Sequence, residues 1–282
     1  MNATAVPIEQ VAAASERRPI PVKVWVGLGI VGAYALAAIL APLLAPFDPL
    51  AQAPLSRLEP PGGGHLLGTD ELGRDELSRL LYAARADLPV ALFGALLPCL
   101  LGTALGALAG FFGRWVDAVL MRLADLVQAF PLYILMIALV FALGPGVRSL
   151  LISFTVVGWV VYARLIRGEI VRLREREYVA AARAAGLSPL RILVVHILPN
   201  AIPQTIVYFM SDLVFAMLAL AAFSFLGLGI PAPTPEWGSM IAAGQPYVGN
   251  AWWLTVMPGI AIAGIALGLS LIGDGAQDRL RR

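Results

Sequence analysis

The chain predicts an all-α membrane protein with six transmembrane helices, and three observations carry that prediction. Its 282 residues are 59% hydrophobic and only 13% charged, where a soluble domain carries about 25% charged residues. Its apolar residues gather into runs long enough to cross a bilayer, which takes about 20 residues for roughly 30 Å of hydrocarbon. Its basic residues fall mostly on one side of the arrangement those runs define. Lipid offers no water to backbone N–H and C=O groups, so the runs fold as helices rather than open strands.

The first run is Val24–Leu44, closed by the region of Pro46 and Asp48. It is too long for a signal-peptide core and has no clear cleavage site, so it reads as an uncleaved span. The tail before it, Met1–Pro21, is Ala-rich and polar, a composition expected to stay disordered. Its Arg17–Arg18 pair reads as a topology determinant rather than a twin-arginine signal. The second run is Leu88–Phe112, and the third is Leu126–Leu143, extended at its start through Val119. The fourth, Leu150–Ala163, holds only 14 residues before Arg164. The fifth is Ile202–Ile230 and the sixth Ala251–Ile272.

Charge decides the short fourth run. With six spans and the N-terminus inside, fifteen of the 20 Lys and Arg residues lie inside, seven of them in the loop from Arg164 to Arg191. The other five, Arg57, Arg74, Arg79, Arg85 and Arg148, lie outside. Dropping the fourth span would place the seven-arginine loop outside, against the positive-inside rule. Both termini are then expected in the cytoplasm. The chain divides into a cytoplasmic tail (1–23), a first transmembrane helix (24–46), an external loop (47–87), a core transmembrane domain (88–273) with a cytoplasmic loop (164–201), and a cytoplasmic C-terminus (274–282). The external segment Pro231–Asn250 is longer than the remaining connections.

Inside the spans, Gly102, Gly106 and Gly110 recur every four residues and so form one stripe. Such a stripe lets a second backbone approach closely and is a packing signal. Pro131 and Pro258 each remove a backbone hydrogen bond and invite a kink in the third and sixth spans. Asp125 lies three residues after Arg122, at the spacing of a local ion pair. Asp212 is the one acid deep in an apolar run, where an unpaired carboxylate is costly. It is a candidate for the translocation path, or else is bonded to a neighbouring helix. The two histidines and the one cysteine, Cys99, have no metal-ligand spacing, and no metal site is expected. No nucleophile–base pair marks a membrane-embedded enzyme. Repeated halves, often seen in secondary transporters, are missing as well.

The basic loop has local structure of its own. Alanines dominate Val179–Ala185, and alanine is the best helix former. Gly186 can take a positive φ and end that helix. Ser188 can cap the next helix, with Pro189 at its first position. A small-sided helix with Arg183 projecting is well shaped to lie in another protein's cleft. An ordinary surface linker between two spans has the same local pattern.

The stretch Glu177–Asn200, ending His196-Ile197-Leu198-Pro199-Asn200, resembles the "EAA" loop of binding-protein-dependent ABC import permeases. More narrowly it is similar to the C-type permease subunit of the dipeptide/oligopeptide/nickel branch. Further stretches resemble that branch: His65 to Asp75 before the second span, Ser224 to Gly229 followed by Pro235-Glu236-Trp237-Gly238, and Gly273-Asp274-Gly275. The resemblance covers roughly residues 65–278. It implies the type I ABC importer permease fold and a path shared with a second permease subunit, expected to be a different chain. It also implies two cytoplasmic ATPases and an external solute-binding protein that delivers di- or oligopeptides, or alternatively nickel or another small solute. Glu177, Tyr178, Ala181, Ala182, Arg183, Gly186, Ser188 and Pro189 then belong to the ATPase-coupling loop. The chain carries no GxxxxGK[ST] phosphate loop. No cofactor is expected on it, and ATP and Mg are expected on the partner ATPases. Membrane lipid is a partner; nucleic acid is not. Two departures stand out. Ala180 occupies the place of the family motif's leading Glu, and Leu220 that of an acid common in the branch's fifth span. Asp212, eight residues before Leu220, lies about 80° around the helix from it.

Overall fold

The computed structural model describes residues 21–281. The Arg17–Arg18 pair, most of the Ala-rich tail and Arg282 lie outside the described residues. Helix α1 is Val22–Leu44. It lies along the last helix, α9 (Trp253–Arg281), with Lys23 Nζ 2.6 Å from Asp278 Oδ2. Five helices are long and apolar enough to cross a membrane, and a bent pair makes up to six among the described residues. Those residues contain no strand pairing beyond one bridge between Thr69 and Asp75.

Helix α2, Glu76–Phe112, starts twelve residues before the apolar run. Asp75 is its N-cap: Oδ2 accepts from Ser78 N at 2.8 Å and Ser78 Oγ at 2.7 Å. An oxygen placed there satisfies amides that the first turn leaves unpaired. Asp70 holds the preceding turn. Its Oδ1 accepts from the Leu72 and Arg74 amides, and its Oδ2 from Arg74 Nε at 2.6 Å. The charges of Asp70, Arg74 and Asp75 are therefore absorbed locally by caps and turns.

Helices α2 and α5 (Val147–Leu173) form the most extensive pair in the bundle. The glycine stripe lies along their seam. A Cβ on Gly102 would strike the Trp159 carbonyl, one on Gly106 the Ala163 backbone, and one on Gly110 the Arg167 carbonyl at 2.9 Å. Gly102, Gly106 and Gly110 thus face the backbone of α5.

The third run is two helices, α3 (Arg114–Gln128) and α4 (Leu132–Leu143), meeting at 86°. Pro131 stands at the start of α4, so the chain breaks there rather than kinking within one helix. Buried Ala124 of α3 packs against Trp159, Val160 and Ala163 of α5. That contact turns Asp125 toward Arg164, whose Nη2 lies 2.6 Å from Asp125 Oδ1. Asp125 thus pairs across helices, and the local pair expected with Arg122 does not form. Asp117 likewise takes Arg167. With these arginines paired, α5 continues through the charged residues to a length of 27 residues, and the shortness of the fourth apolar run is resolved.

Helix α7, Pro189–Phe225, contains a π-helical stretch at Ile192–Ile197. Pro199 follows; it has no N–H to return and its ring crowds the preceding turn, so a wider turn fits ahead of it. A short helix, α8 (Trp237–Gly244), packs on α7 and α9. Trp237 N donates to Asp87 Oδ2 at 3.0 Å and Trp237 Nε1 to the Leu80 carbonyl at 3.2 Å. Glu236 caps α8 through Gly238 N and Ser239 N. Its carboxyl is fully buried, and burial pushes its pKa up against those bonds. The residues from Pro235 to Gly238 therefore anchor α8 to the bundle.

Candidate functional site

The basic loop begins where α5 ends. Arg174 Nη1 donates to the Gly110 carbonyl at 3.1 Å, fixing the chain's exit. Helix α6 then runs Glu177–Ala184. It starts two residues before the alanine-rich stretch because Arg176 is extended and Glu177 suits the positive end of a helix. Val179 and Ala182, three residues apart, share one face and are buried against Ile170, Leu173, Ile192 and Ile197. Ala182 thus turns inward as an anchor.

Gly186 closes the helix as expected, at φ +75°. Leu187 N donates to the Ala182 carbonyl at 3.2 Å and Gly186 N to the Arg183 carbonyl at 3.0 Å. This is the Schellman pattern, which satisfies carbonyls left over at a helix end. Ser188 is the N-cap of the next helix and Pro189 its first residue. The Ser188 side chain makes no cap hydrogen bond, contrary to expectation. Pro189 supplies the preset φ, and the Ser188 carbonyl accepts from Ile192 N at 3.0 Å.

Glu177, Tyr178, Ala180, Ala181, Arg183, Gly186, Ser188 and Pro189 are all exposed, and Leu190 beside them is 61% exposed. The arrangement is a short helix held by two small apolar anchors. Ala180, Ala181 and Ala184 are exposed on it, as are Tyr178 and Arg183, and Leu190 in the next helix. Sequence reasoning did not single out Leu190; an apolar residue directly after Ser-Pro in a charged loop was the available signal.

Asp212 lies elsewhere, inside the bundle. Tyr162 Oη of α5 donates to Asp212 Oδ2 of α7 at 2.8 Å. The Tyr162 ring meets Tyr208 edge-on, with centroids 4.9 Å apart. Asp212 also borders a small cavity with Pro98, Leu132, Met136 and Phe215. Leu220 is fully buried in the core, so no acid stands two turns further along α7.

The described residues thus hold five or six helices long and apolar enough to cross a membrane, with a short exposed helix, α6, between two of them. Residues 102–282 match the family model of the binding-protein-dependent transport system inner membrane component, and the chain belongs to that family. Residues 24–61 match the N-terminal transmembrane domain of oligopeptide transport permease C. The dipeptide transport system permease protein DppC of Alkalihalophilus pseudofirmus is 40% identical over 255 residues, spanning 90% of this chain and 84% of that protein. The di/tripeptide transport system permease protein DppC of Pseudomonas aeruginosa is 41% identical over 249 residues, 86% of this chain and 82% of that one. Inward-facing structures of the MetNI methionine ABC transporter share the fold. The similarity has a TM-score of 0.53 at 17% identity and covers 70% of this chain and 96% of that one. The chain is a permease subunit of an ABC importer.

Proposed function

We propose that this subunit forms half of a path for di- or oligopeptides, that an external solute-binding protein delivers the peptide, and that separate ATPases drive import by engaging α6. The observation that carries the proposal is α6 itself: exposed, alanine-faced and seated on two anchors at the end of α5. The relatives named for dipeptide and di/tripeptide transport support the peptide class. The seven arginines between Arg164 and Arg191 favour the cytoplasm for this loop, and so for both termini. ATP and Mg would then belong to the ATPases.

Arg183→Glu tests the docking. A charge placed against its like at a protein contact costs several kcal/mol. Uptake of a labelled dipeptide into proteoliposomes holding the whole transporter is expected to fall at least about tenfold, with the chain still in the membrane. Wild-type uptake at normal expression would refute the docking role.

Asp212 we read as a tie between α5 and α7 rather than a solute contact, because its carboxylate already accepts from Tyr162. Asp212→Asn keeps an acceptor and should leave uptake and thermal stability close to wild type. Asp212→Leu strands the Tyr162 hydroxyl and should lower stability by about 1–3 kcal/mol. Uptake lost in Asp212→Asn at unchanged stability would move Asp212 to the path.

A further inference from the structure

At the end of the bundle that carries α6, an open pocket of about 350 Å³ lies between the α2–α3 corner and α5. Arg114, Arg167 and Arg174 line it, with a single acid, Asp117. Asp117 is already engaged: its two oxygens accept from Arg167 Nε and, at 2.6 Å, Arg167 Nη2. Arg174 uses Nη1 on the Gly110 carbonyl, one bond from a group with five N–H donors. The Arg114 side chain is exposed and makes no hydrogen bond or ion pair among the described residues. Two positive charges in the pocket are thus unbalanced. The first turn of α3 adds to them, since Gly113 offers no side-chain cap and the positive end of the helix dipole faces outward there.

The pocket also sits where apolar surface stops. The second apolar run ends at Phe112, 48% exposed, and Trp115 is 74% exposed one residue beyond Arg114. Aromatic side chains of this kind gather at the headgroup level of a bilayer. Basic pockets between transmembrane helices are suited to acidic headgroups. We propose that this pocket binds the phosphate group of an anionic phospholipid, with the acyl chains along Phe112 and Trp115. Arginine is the side chain best matched to a phosphate, through paired N–H donors. The site needs only a membrane boundary at this level, so it does not depend on what α6 engages. A bound lipid would join α2, α3 and α5 at Arg174, three residues before α6 begins at Glu177.

The test uses the full chain, purified in detergent with any subunits that accompany it. Dioleoyl phosphatidylglycerol, dioleoyl phosphatidylcholine and inorganic phosphate are titrated separately. Bound lipid is counted by native mass spectrometry, and protection is read as a shift in unfolding temperature. Phosphatidylglycerol is expected to be retained and to protect, and the other two are not. Arg114→Gln should weaken its retention about fivefold, the worth of one cation near an acidic lipid surface, and Arg114→Lys should keep most of it. Arg114 is exposed, so Arg114→Gln should fold normally by circular dichroism and gel filtration. Adding Arg174→Gln should bring the loss to about 25-fold. Equal retention by wild type and both glutamine variants would overturn the assignment. Protection by inorganic phosphate alone would overturn it too, leaving a site for a free anion.

Discussion

Gly186→Val is expected to insert, fold and reach the membrane, yet to lose at least about nine-tenths of peptide uptake. Gly186 sits at φ +75° with open space where a Cβ would go. The cost is therefore backbone strain alone, about 1–2 kcal/mol for a residue forced into the left-handed region. That is small against a bundle of long helices and large for an eight-residue helix held by Val179 and Ala182. The strain is relieved by opening the two closing bonds, Leu187 to Ala182 and Gly186 to Arg183. Once they open, α6 no longer presents its alanine face at a fixed angle. The measurement is uptake of a labelled dipeptide beside ATP hydrolysis in the same proteoliposomes, with hydrolysis continuing while uptake falls. Gly186→Asn supplies the control, because Asn tolerates the left-handed region, and it should transport far better than Gly186→Val. Equal, near-wild-type uptake in both variants would refute the role given to this turn.

Gly106→Leu should fail earlier, at folding. A Cβ there would meet the Ala163 carbonyl oxygen and lie 2.7 Å from the Ala163 Cα. Those are backbone atoms of the facing helix and cannot rotate aside. Helices α2 and α5 would have to separate along their whole seam, and in lipid close packing is much of what holds helices together. Overpacking commonly costs about 1–3 kcal/mol, and rigid backbone on both sides puts this site at or above the top of that range. The expected result is little protein in detergent extracts and a lowered unfolding temperature. Gly168→Ala in α5 is the contrast, since a Cβ there meets nothing within 4 Å. It should be neutral or slightly stabilising, as alanine for glycine in a helix is worth about 0.5–1 kcal/mol. A Gly106→Leu chain as stable as wild type would contradict the seam.

What could be read from the sequence divides by range. The loop around Gly186 is built from neighbours, so alanine propensity, a left-handed glycine and Ser-Pro located its helices to within two residues. The apolar runs likewise located the five long helices, including the one that holds the short fourth run, whereas the third run is a bent pair. Features set by distant partners were not legible. Tyr162 and Asp212 are 50 residues apart, and so are Asp117 and Arg167. Pro131 marked where the third run would bend, but the 86° angle depends on Ala124 seated against α5 and on two ion pairs across it. Charged residues from Glu76 to Asp87 read as loop. In the fold they open α2, because Asp75 caps it and Asp87 finds the Trp237 amide.

The glycine seam also limits how the subunit can move. From Gly102 to Gly110 it runs about 12 Å along the axis, and at each step a backbone carbonyl occupies a notch that only a missing side chain provides. Sliding one helix past the other by part of a turn would drive those carbonyls into side chains. The seam is therefore keyed against shear, and α2 and α5 can only turn as one body. Because three residues, Arg174 to Arg176, join α5 to α6, the seam also ties that short exposed helix to the α2–α5 pair, whose opposite end carries the Asp75 cap and the α8 anchor.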